Sequence, residues 1–203
     1  IFHVENCLFL WYYYEVFSLG NAGAEKLSCK KSGKILCLEE IMSEQARITV
    51  ICGHYGCGKT NLALNLALEA AAAGERVTVA DLDIVNPYFR SSEYGGLLQE
   101  RGVRLIAPVF AGTTLDTPTL PPELYSIFEE AAGRVFIDAG GDDAGVTALG
   151  GLHALLDQAG YDMLYVINRY RVLSQTPEEA AALLGEIEAA SRLKATALVN
   201  NSH

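Results

Sequence analysis

The sequence predicts an α/β fold of three layers, in which a mostly parallel sheet is covered by helices on both faces. From residue 47 onward, short and nearly continuous apolar stretches alternate with stretches of helical length rich in alanine and leucine. Strands of that composition are typical of a parallel sheet that is buried on both faces. A chain of 203 residues also has room for one domain with a sizeable core.

Each element has a local signal. The predicted strands are residues 47–52, 76–81, 103–109, 134–138, 162–168 and 194–200. The predicted helices are residues 60–73, 91–101, 122–132, 147–160 and 176–192. Gly74 lies where the first helix needs a C-cap, and Thr176 precedes a proline and two glutamates, as is typical of a helix start.

Composition and charge exclude several classes of function. The formal net charge is −10, which argues against general nucleic-acid binding and against electrostatic docking on anionic lipid. No apolar run is long enough to predict a transmembrane helix. The five cysteines form no CxxC pair, so we expect reduced thiols and a cytoplasmic protein.

The stretch GHYGCGKT, residues 53–60, has the spacing of a phosphate-binding loop, and it stands between a predicted strand and a predicted helix. Its glycines allow backbone N–H groups to turn toward phosphate oxygens, Lys59 is expected to reach the β- and γ-phosphates, and Thr60 is expected to bind Mg²⁺. The predicted nucleotide-binding residues here are Gly53, His54, Tyr55, Gly56, Cys57, Gly58, Lys59, Thr60 and Asn61.

Acidic residues follow two other predicted strands. Asp138 ends the strand 134–138, where a carboxylate that holds Mg²⁺ directly or through water is expected. Asp142 lies just beyond, after two glycines that allow the backbone to approach a terminal phosphate. Asp81 and Asp83 end the second strand, and one of them is expected to orient an attacking water or to contact Mg²⁺.

These motifs together resemble the MinD/ParA/nitrogenase-iron-protein class of P-loop ATPases, over nearly all of residues 46–203. The resemblance is carried by GHYGCGKT, by DLD at 81–83, by FIDAGGDDAG at 136–145 and by LVNNS at 198–202, and it extends to a MinD-like subgroup of bacterial proteins. It implies that Asp83 is the catalytic aspartate of switch I and also contacts the metal. It further implies that Asp138 is the metal acid, that Asp142 belongs to switch II and that Asn201 reads the adenine base.

Two positions depart from that class. Its signature lysine, which reaches the partner subunit's nucleotide, is His54 here, and a histidine is shorter and is neutral or half-charged near neutral pH. We therefore expect slow hydrolysis and no tight nucleotide-sandwich dimer through this loop, although a homodimer is left open. Gly145 replaces the cysteine that ligates the cluster of the nitrogenase iron protein, so a bridging iron–sulfur cluster is not expected.

Composition also changes at Met42. Residues 1–41 contain most of the lysines, no arginine and an aromatic run, without a clean helical or strand period. Acidic residues interrupt the apolar stretch and no basic segment precedes it, which argues against a signal or membrane anchor. We expect residues 1–41 to be non-native sequence or a disordered N-terminal extension, because the chain begins with Ile1 and Met42 offers a true start. Residues 42–203 are expected to form the P-loop nucleotide-binding domain, truncated at its C-terminus.

The leading hypothesis is an ATPase that binds Mg²⁺ and ATP, works as a nucleotide-dependent switch and is stimulated by an unknown protein partner. One alternative is an ATP-dependent small-molecule ligase or kinase of the dethiobiotin synthetase-like type, which requires a small-molecule acceptor. A third hypothesis is a nucleotide-binding module that does not hydrolyse. Arg90, Arg169 and Arg171 are weaker candidates for contacts with phosphate, substrate or partner.

Overall fold

A computed structural model describes the backbone of residues 15–20, 23–26, 46–82, 94–107, 122–141 and 143–202, and the side chains of residues 46 onward within these ranges except 143 and 144. The strands are β1 (Glu15–Gly20), β2 (Gly23–Lys26), β3 (Ile48–Gly53), β4 (Val77–Leu82), β5 (Arg104–Ile106), β6 (Arg134–Ala139), β7 (Tyr161–Ile167) and β8 (Ala197–Asn200). The α-helices are α1 (Lys59–Ala72), α2 (Gly95–Glu100), α3 (Asp143–Ala159) and α4 (Pro177–Ser191).

The strands form one sheet in the order β2-β1-β8-β7-β3-β6-β4-β5. The pairs from β8 to β5 are all parallel, whereas β1 pairs antiparallel with both β2 and β8. The predicted α/β fold with a mostly parallel sheet is therefore confirmed. Because parallel strands end at one edge, the segments that follow β3, β4, β6, β7 and β8 all begin there.

The sheet separates two apolar cores. Helix α1 buries Leu62 and Leu66 with Ile51 of β3 on one face, and α3 and α4 bury Leu149 and Ile187 with Val50 of β3 on the other. Successive residues of β3 thus face opposite cores, as a strand covered on both sides requires. This burial fixes β3 at the centre of the sheet and fixes the start of the loop that follows it.

The start of α4 was predicted correctly. Thr176 is the N-cap: its side chain accepts a hydrogen bond from the Glu179 backbone, and the Glu179 side chain accepts one from the Thr176 backbone. Pro177 occupies the first turn, where its missing N–H costs no hydrogen bond. This reciprocal capping box fixes the end of the loop that joins β7 to α4.

The stretch predicted as a helix at residues 122–132 forms 3-10 turns and not an α-helix. Two 3-10 segments, Pro122–Phe128 and Glu130–Ala132, occupy this stretch, and extended backbone at Glu129 separates them. Arg47 donates to Ile127 O, a carbonyl that an α-helix over this stretch would use, and Thr78 Oγ1 donates to Ala132 O at the end of the stretch. Tertiary hydrogen bonds therefore replace the regular helical ones here.

Strands β1 and β2 lie within the segment for which the sequence showed no strand period. They form an antiparallel hairpin that extends the sheet beyond β8. The expectation that residues 1–41 are non-native or disordered stays a prediction, as does truncation after residue 203. In the described part of the chain, no helix combines the length and apolar character needed to cross a membrane.

Asp162 is a buried carboxylate at the edge of the sheet opposite the loop after β3. Thr196 Oγ1 donates to Asp162 Oδ1 at 3.2 Å, whereas Oδ2 is buried without a hydrogen-bond partner among the described residues. Burial raises the pKa of Asp162, and the hydrogen bond from Thr196 opposes that rise. The folded chain therefore holds this proton more tightly than the unfolded chain does. Its contribution to stability is present below the ordinary pKa of 3.8 and is lost as the pH rises through the folded-state value.

We expect Asp162→Asn to raise the free energy of unfolding by about 1 kcal/mol at about pH 7 and by less at about pH 4. The amide removes a buried charge and keeps an oxygen for Thr196. Thermal and urea unfolding at both pH values measure the effect, and Asp157→Asn on the exposed face of α3 is the matched control. Equal stability of the two variants at both pH values would contradict the role assigned to Asp162.

Candidate functional site

The predicted phosphate-binding loop leaves the central strand β3 and enters α1 at the carboxyl edge of the sheet. Gly53 has φ +147°, and a Cβ at this position would collide with the carbonyl oxygen of Val166 on β7. Gly58 has φ +96° and lies against the Asn201 side chain, which leaves no room for a Cβ. Only glycine fits these two positions, so the turn requires the residues that the motif supplies.

Three carbonyl groups of the loop accept hydrogen bonds from side chains. Lys59 Nζ donates to His54 O at 3.1 Å, Arg171 Nε donates to Gly56 O at 3.0 Å, and Asn201 Nδ2 donates to Cys57 O at 2.7 Å. These donors come from α1, from the segment after β7 and from the end of β8. The loop is therefore held from three sides, and such preorganisation lowers the entropic cost of binding a ligand.

Lys59 supplies a buried positive charge. Only 6% of the residue is exposed, and within the described part of the chain it forms no ion pair and donates one hydrogen bond, to His54 O. An ammonium group has three donors, so two are left for a ligand. A buried cation is costly unless an anion compensates it. These observations fit phosphate oxygens bound inside the loop.

Two acids lie side by side near the loop. Asp81 on β4 and Asp138 on β6 are adjacent in register, and both are buried. Asp138 is also close enough to Cys57 for its charge to act on that thiol. Two neighbouring buried carboxylates favour a nearby cation, and carboxylate oxygens suit Mg²⁺. Thr60, half-buried in the first turn of α1, is the predicted hydroxyl ligand of the same ion.

The backbone that follows β6 approaches the loop closely. A Cβ built at Gly141 would lie 2.8 Å from the backbone nitrogen of Tyr55 and 2.9 Å from Lys59 Nζ. Gly140 in turn lies against Gly145, where a Cβ would come within 2.6 Å of the Gly140 Cα. The two glycines near Asp138 therefore allow this segment to reach the lysine, and the predicted approach to a terminal phosphate stays a prediction.

His54 lies half-buried with its ring edge-on to Tyr55, and the ring centroids are 6.3 Å apart. Its Nδ1 is buried without a hydrogen-bond partner among the described residues. Burial, and then the positive charge of Lys59, lower the pKa of His54 below its ordinary value of 6.5. The imidazole is therefore neutral at pH 7, and Lys59 is the cation of this loop.

The cysteines of this region are not reactive thiols. Cys52 and Cys57 are both buried in the core, and neither forms a disulfide. Burial raises the pKa of the Cys57 thiol and outweighs the lowering effect of Lys59. Cys57 thus acts as a small residue that fills the space behind the loop, and the helix N-terminus does not make it a thiolate.

Asn201 is buried, and its side-chain amide bonds to the loop through Cys57 O. Its Oδ1 is buried without a partner among the described residues. The structure thus gives Asn201 a role in supporting the loop that its sequence motif did not reveal. The predicted role in reading the base stays a prediction, and Oδ1 is the atom left to serve it.

The remaining predicted site residues are either outside the described part of the chain or are arginines of the segment after β7. Asp83, Asp142 and Arg90 lie outside the described residues, so their predicted roles stay predictions. Arg169 stacks over Tyr170, with its guanidinium carbon 5.1 Å from the ring centroid, and does not contact the loop. Arg171 does contact the loop, and no local motif distinguished it from an ordinary surface arginine.

Comparison with known proteins addresses the fold. No protein-family model matches the chain, and no curated protein matches it. Among solved structures, the BceF tyrosine kinase domain is 23% identical over 82% of this chain and 74% of its own, with a TM-score of 0.53. The cell division protein FtsY from Thermotoga maritima is 18% identical over 78% of this chain and 59% of its own, with a TM-score of 0.50.

The fold is that of the P-loop NTPases. At such identities the likeness concerns the fold alone, and it does not select one subgroup. The position of the loop at residues 53–60, between the central strand β3 and α1, is shown by the geometry of this chain and does not depend on the comparison.

We expect Gly141→Ala to weaken binding of a nucleotide by about tenfold or more, because the new methyl group would enter the space between Tyr55 N and Lys59 Nζ. Isothermal titration calorimetry with ATP and Mg²⁺ measures the loss. Gly185→Ala in α4 is the control, since a Cβ there meets nothing within 4 Å and alanine favours the helix. Unchanged affinity in Gly141→Ala would show that this approach is not part of the binding site.

Proposed function

We propose that this chain is an ATPase that binds Mg²⁺ and ATP and works as a switch of the MinD/ParA type, with slow hydrolysis that a protein partner stimulates. One observation carries the proposal: the backbone at Gly141 touches both Lys59 and the loop, with no room for a Cβ. A segment in that position senses whether a terminal phosphate is present, because the phosphate competes for the same space and the same lysine.

In this proposal, the role of each residue follows from the chemistry of its side chain or backbone. Lys59 neutralises charge on the β- and γ-phosphates, and the loop amides donate to the phosphate oxygens. Thr60 and Asp138 would hold Mg²⁺, which would supply positive charge next to the phosphates. Asp83 contacts the metal and orients the attacking water, and Asp142 transmits the state of the terminal phosphate. These assignments of Asp83 and Asp142 rest on the family resemblance.

Switching requires two segments that change between the ATP and ADP states. β4 ends at Leu82 and β6 ends at Ala139, and the two proposed switch segments, residues 83–90 and 139–146, are connected to these strand ends on the loop's side of the sheet. ATP orders these segments, and loss of the terminal phosphate releases them. The partner that reads this change is a protein, whereas the ligase or kinase alternative requires a small-molecule acceptor.

Steady-state ATP turnover of the chain alone distinguishes these functions. A switch hydrolyses ATP slowly without any acceptor, whereas a ligase or kinase is nearly inactive until its acceptor is added. A module that only binds nucleotide shows tight binding by calorimetry and no turnover. Slow turnover that GTP does not support equally well would favour ATP as the substrate and, with it, a base contact by Asn201.

We expect Lys59→Ala to weaken ATP binding by about 10- to 100-fold, the usual effect of losing hydrogen bonds from a charged donor. Calorimetry measures the affinity. The control is Lys194→Ala, because Lys194 is exposed and its ion pair with Glu188 lies on the surface. Equal ATP affinity of Lys59→Ala and the unaltered chain would refute phosphate binding in this loop.

The His54 position predicts a second result. We expect slow turnover that does not change above about pH 7.5, because the pKa of His54 is lowered below its ordinary value of 6.5 and the imidazole is neutral there. His54→Lys restores a permanent charge, and we expect it to increase turnover or ATP-dependent dimerisation. Turnover against pH, and sedimentation with and without a non-hydrolysable ATP analogue, measure both effects. Fast hydrolysis by an ATP-induced dimer of the natural sequence would show that another group supplies this charge.

A further inference from the structure

The segment that joins β7 to α4 exposes a cluster of large apolar side chains. We call residues 168–175 the β7–α4 loop. Tyr170, Val172 and Leu173 are 60%, 70% and 52% exposed. The other large apolar side chains that the described residues expose, Tyr125 and Leu155, lie singly on other elements. A cluster of exposed apolar groups on one loop is typical of an interaction site, whereas single ones are ordinary.

Hydrogen bonds hold the β7–α4 loop in one shape. The side chain of Asn168 accepts from Tyr170 N at 3.0 Å, and Ser174 Oγ donates to Asn168 O at 2.7 Å. Arg169 N donates to Ser202 Oγ at 2.8 Å, which ties the loop to the end of β8. Leu173 adopts a left-handed conformation with φ +64°, which costs free energy in a residue that is not glycine. A loop built this firmly presents its apolar groups at a low entropic cost of binding.

The β7–α4 loop is also locally basic. It contains Arg169 and Arg171 and no carboxylate, although the whole chain carries a net charge of −10. Neither arginine forms an ion pair with any described residue. Glu179, just beyond the loop, is occupied by the capping box of α4. The two arginines are therefore the charged groups of the loop itself, and its own charge is positive.

This charge pattern selects the kind of partner. A symmetric contact between two copies through the β7–α4 loop would place the same arginines against each other. A membrane surface is disfavoured because two cations are fewer than the polybasic patch that stable lipid binding needs, and the rest of the chain is acidic. Arginine and tyrosine are enriched among the dominant residues of protein interfaces. An acidic protein segment with apolar side chains meets both features of the loop.

The same loop is connected to the phosphate-binding loop. Arg171 Nε donates to Gly56 O at 3.0 Å, and its guanidinium carbon would lie 3.1 Å from a Cβ at Gly56. Arg171 thus lies between the exposed apolar side chains and the loop that holds phosphate. A shift of Gly56 on nucleotide binding or release alters this hydrogen bond, and with it the position of the β7–α4 loop.

We propose that the β7–α4 loop is the docking surface for an acidic, apolar segment of a separate protein, and that Arg171 couples this surface to the phosphate-binding loop. The coupling rests on the proposed switch function, whereas the surface itself does not. The partner is thereby defined by chemistry: carboxylates for Arg169 and Arg171, and apolar side chains for Tyr170, Val172 and Leu173.

Selection of a phage-displayed random peptide library on the full chain, loaded with Mg²⁺ and a non-hydrolysable ATP analogue, tests the surface. The recovered peptides are synthesised, and their binding is measured by fluorescence anisotropy. We expect acidic peptides with apolar residues, and we expect Arg169→Glu and Tyr170→Ser each to weaken them by about tenfold or more. Tyr125→Ser, an equally conservative change on another surface, is the control and is expected to leave the affinity unchanged. Circular dichroism melts establish that each variant is folded.

A separate measurement tests the coupling between the β7–α4 loop and the phosphate-binding loop. We expect peptide affinity to differ by about fivefold or more between the ATP-analogue and ADP states. Arg171→Lys keeps the positive charge but loses the Nε donor that binds Gly56 O, so we expect the ratio of peptide affinities in the two nucleotide states to fall toward one, whatever the change in each affinity alone. Peptide affinity that is the same in both nucleotide states would overturn the coupling.

Several outcomes would overturn the docking surface. These are failure to recover any binder, binders that are basic or neutral, and binders that tolerate Arg169→Glu and Tyr170→Ser. Co-sedimentation with phosphatidylserine vesicles, or self-association in sedimentation velocity, would also replace the proposal if either is lost in Tyr170→Ser. If calorimetry detects no nucleotide binding while acidic peptides still require the loop, the proposed ATPase function fails and the docking surface stands.

Discussion

The burial of one positive charge organises the carboxyl edge of this sheet. Lys59 is nearly inaccessible, and its described hydrogen bond goes to a carbonyl of its own loop. A buried ammonium group is costly unless an anion compensates it, so this site favours anionic groups such as carboxylates or phosphate oxygens. The backbone at Gly141 approaches this ammonium group so closely that a Cβ there would lie 2.9 Å from Lys59 Nζ.

The loop around Lys59 is held by residues that are distant in sequence. Asn201 and Arg171 bind neighbouring carbonyls of the loop from the ends of β8 and β7. Both contacts exist because parallel strands bring their ends to one edge, so that short segments after different strands meet there. The loop around Lys59 is consequently connected to the exposed β7–α4 loop through Arg171. A movement of the loop around Lys59 would therefore act on the β7–α4 loop through one hydrogen bond.

The 3-10 segments and the position of His54 show how context changes a local preference. Residues 122–132 have a composition that suits a helix, yet Arg47 binds the Ile127 carbonyl that the helix would use, and Thr78 binds the carbonyl of Ala132 at its end. His54 has an ordinary pKa near neutrality, yet burial and the charge of Lys59 keep it neutral. In both cases, the surroundings in the folded chain override the intrinsic preference of the residue.

The sequence by itself determined the class of fold, the order of its parallel-strand elements, the capping of α4 and the position of the phosphate-binding loop, because apolar periodicity, capping residues and glycine spacing are local properties. It also predicted that Asp138 would stand beside that loop, since strand ends meet at one edge. Only the tertiary structure decided that Asn201 and Arg171 hold the loop, that Asp81 lies beside Asp138 and that Cys57 is inert. Each of these depends on which strands are neighbours and on how deeply a group is buried, and neither quantity is encoded in a short stretch of residues.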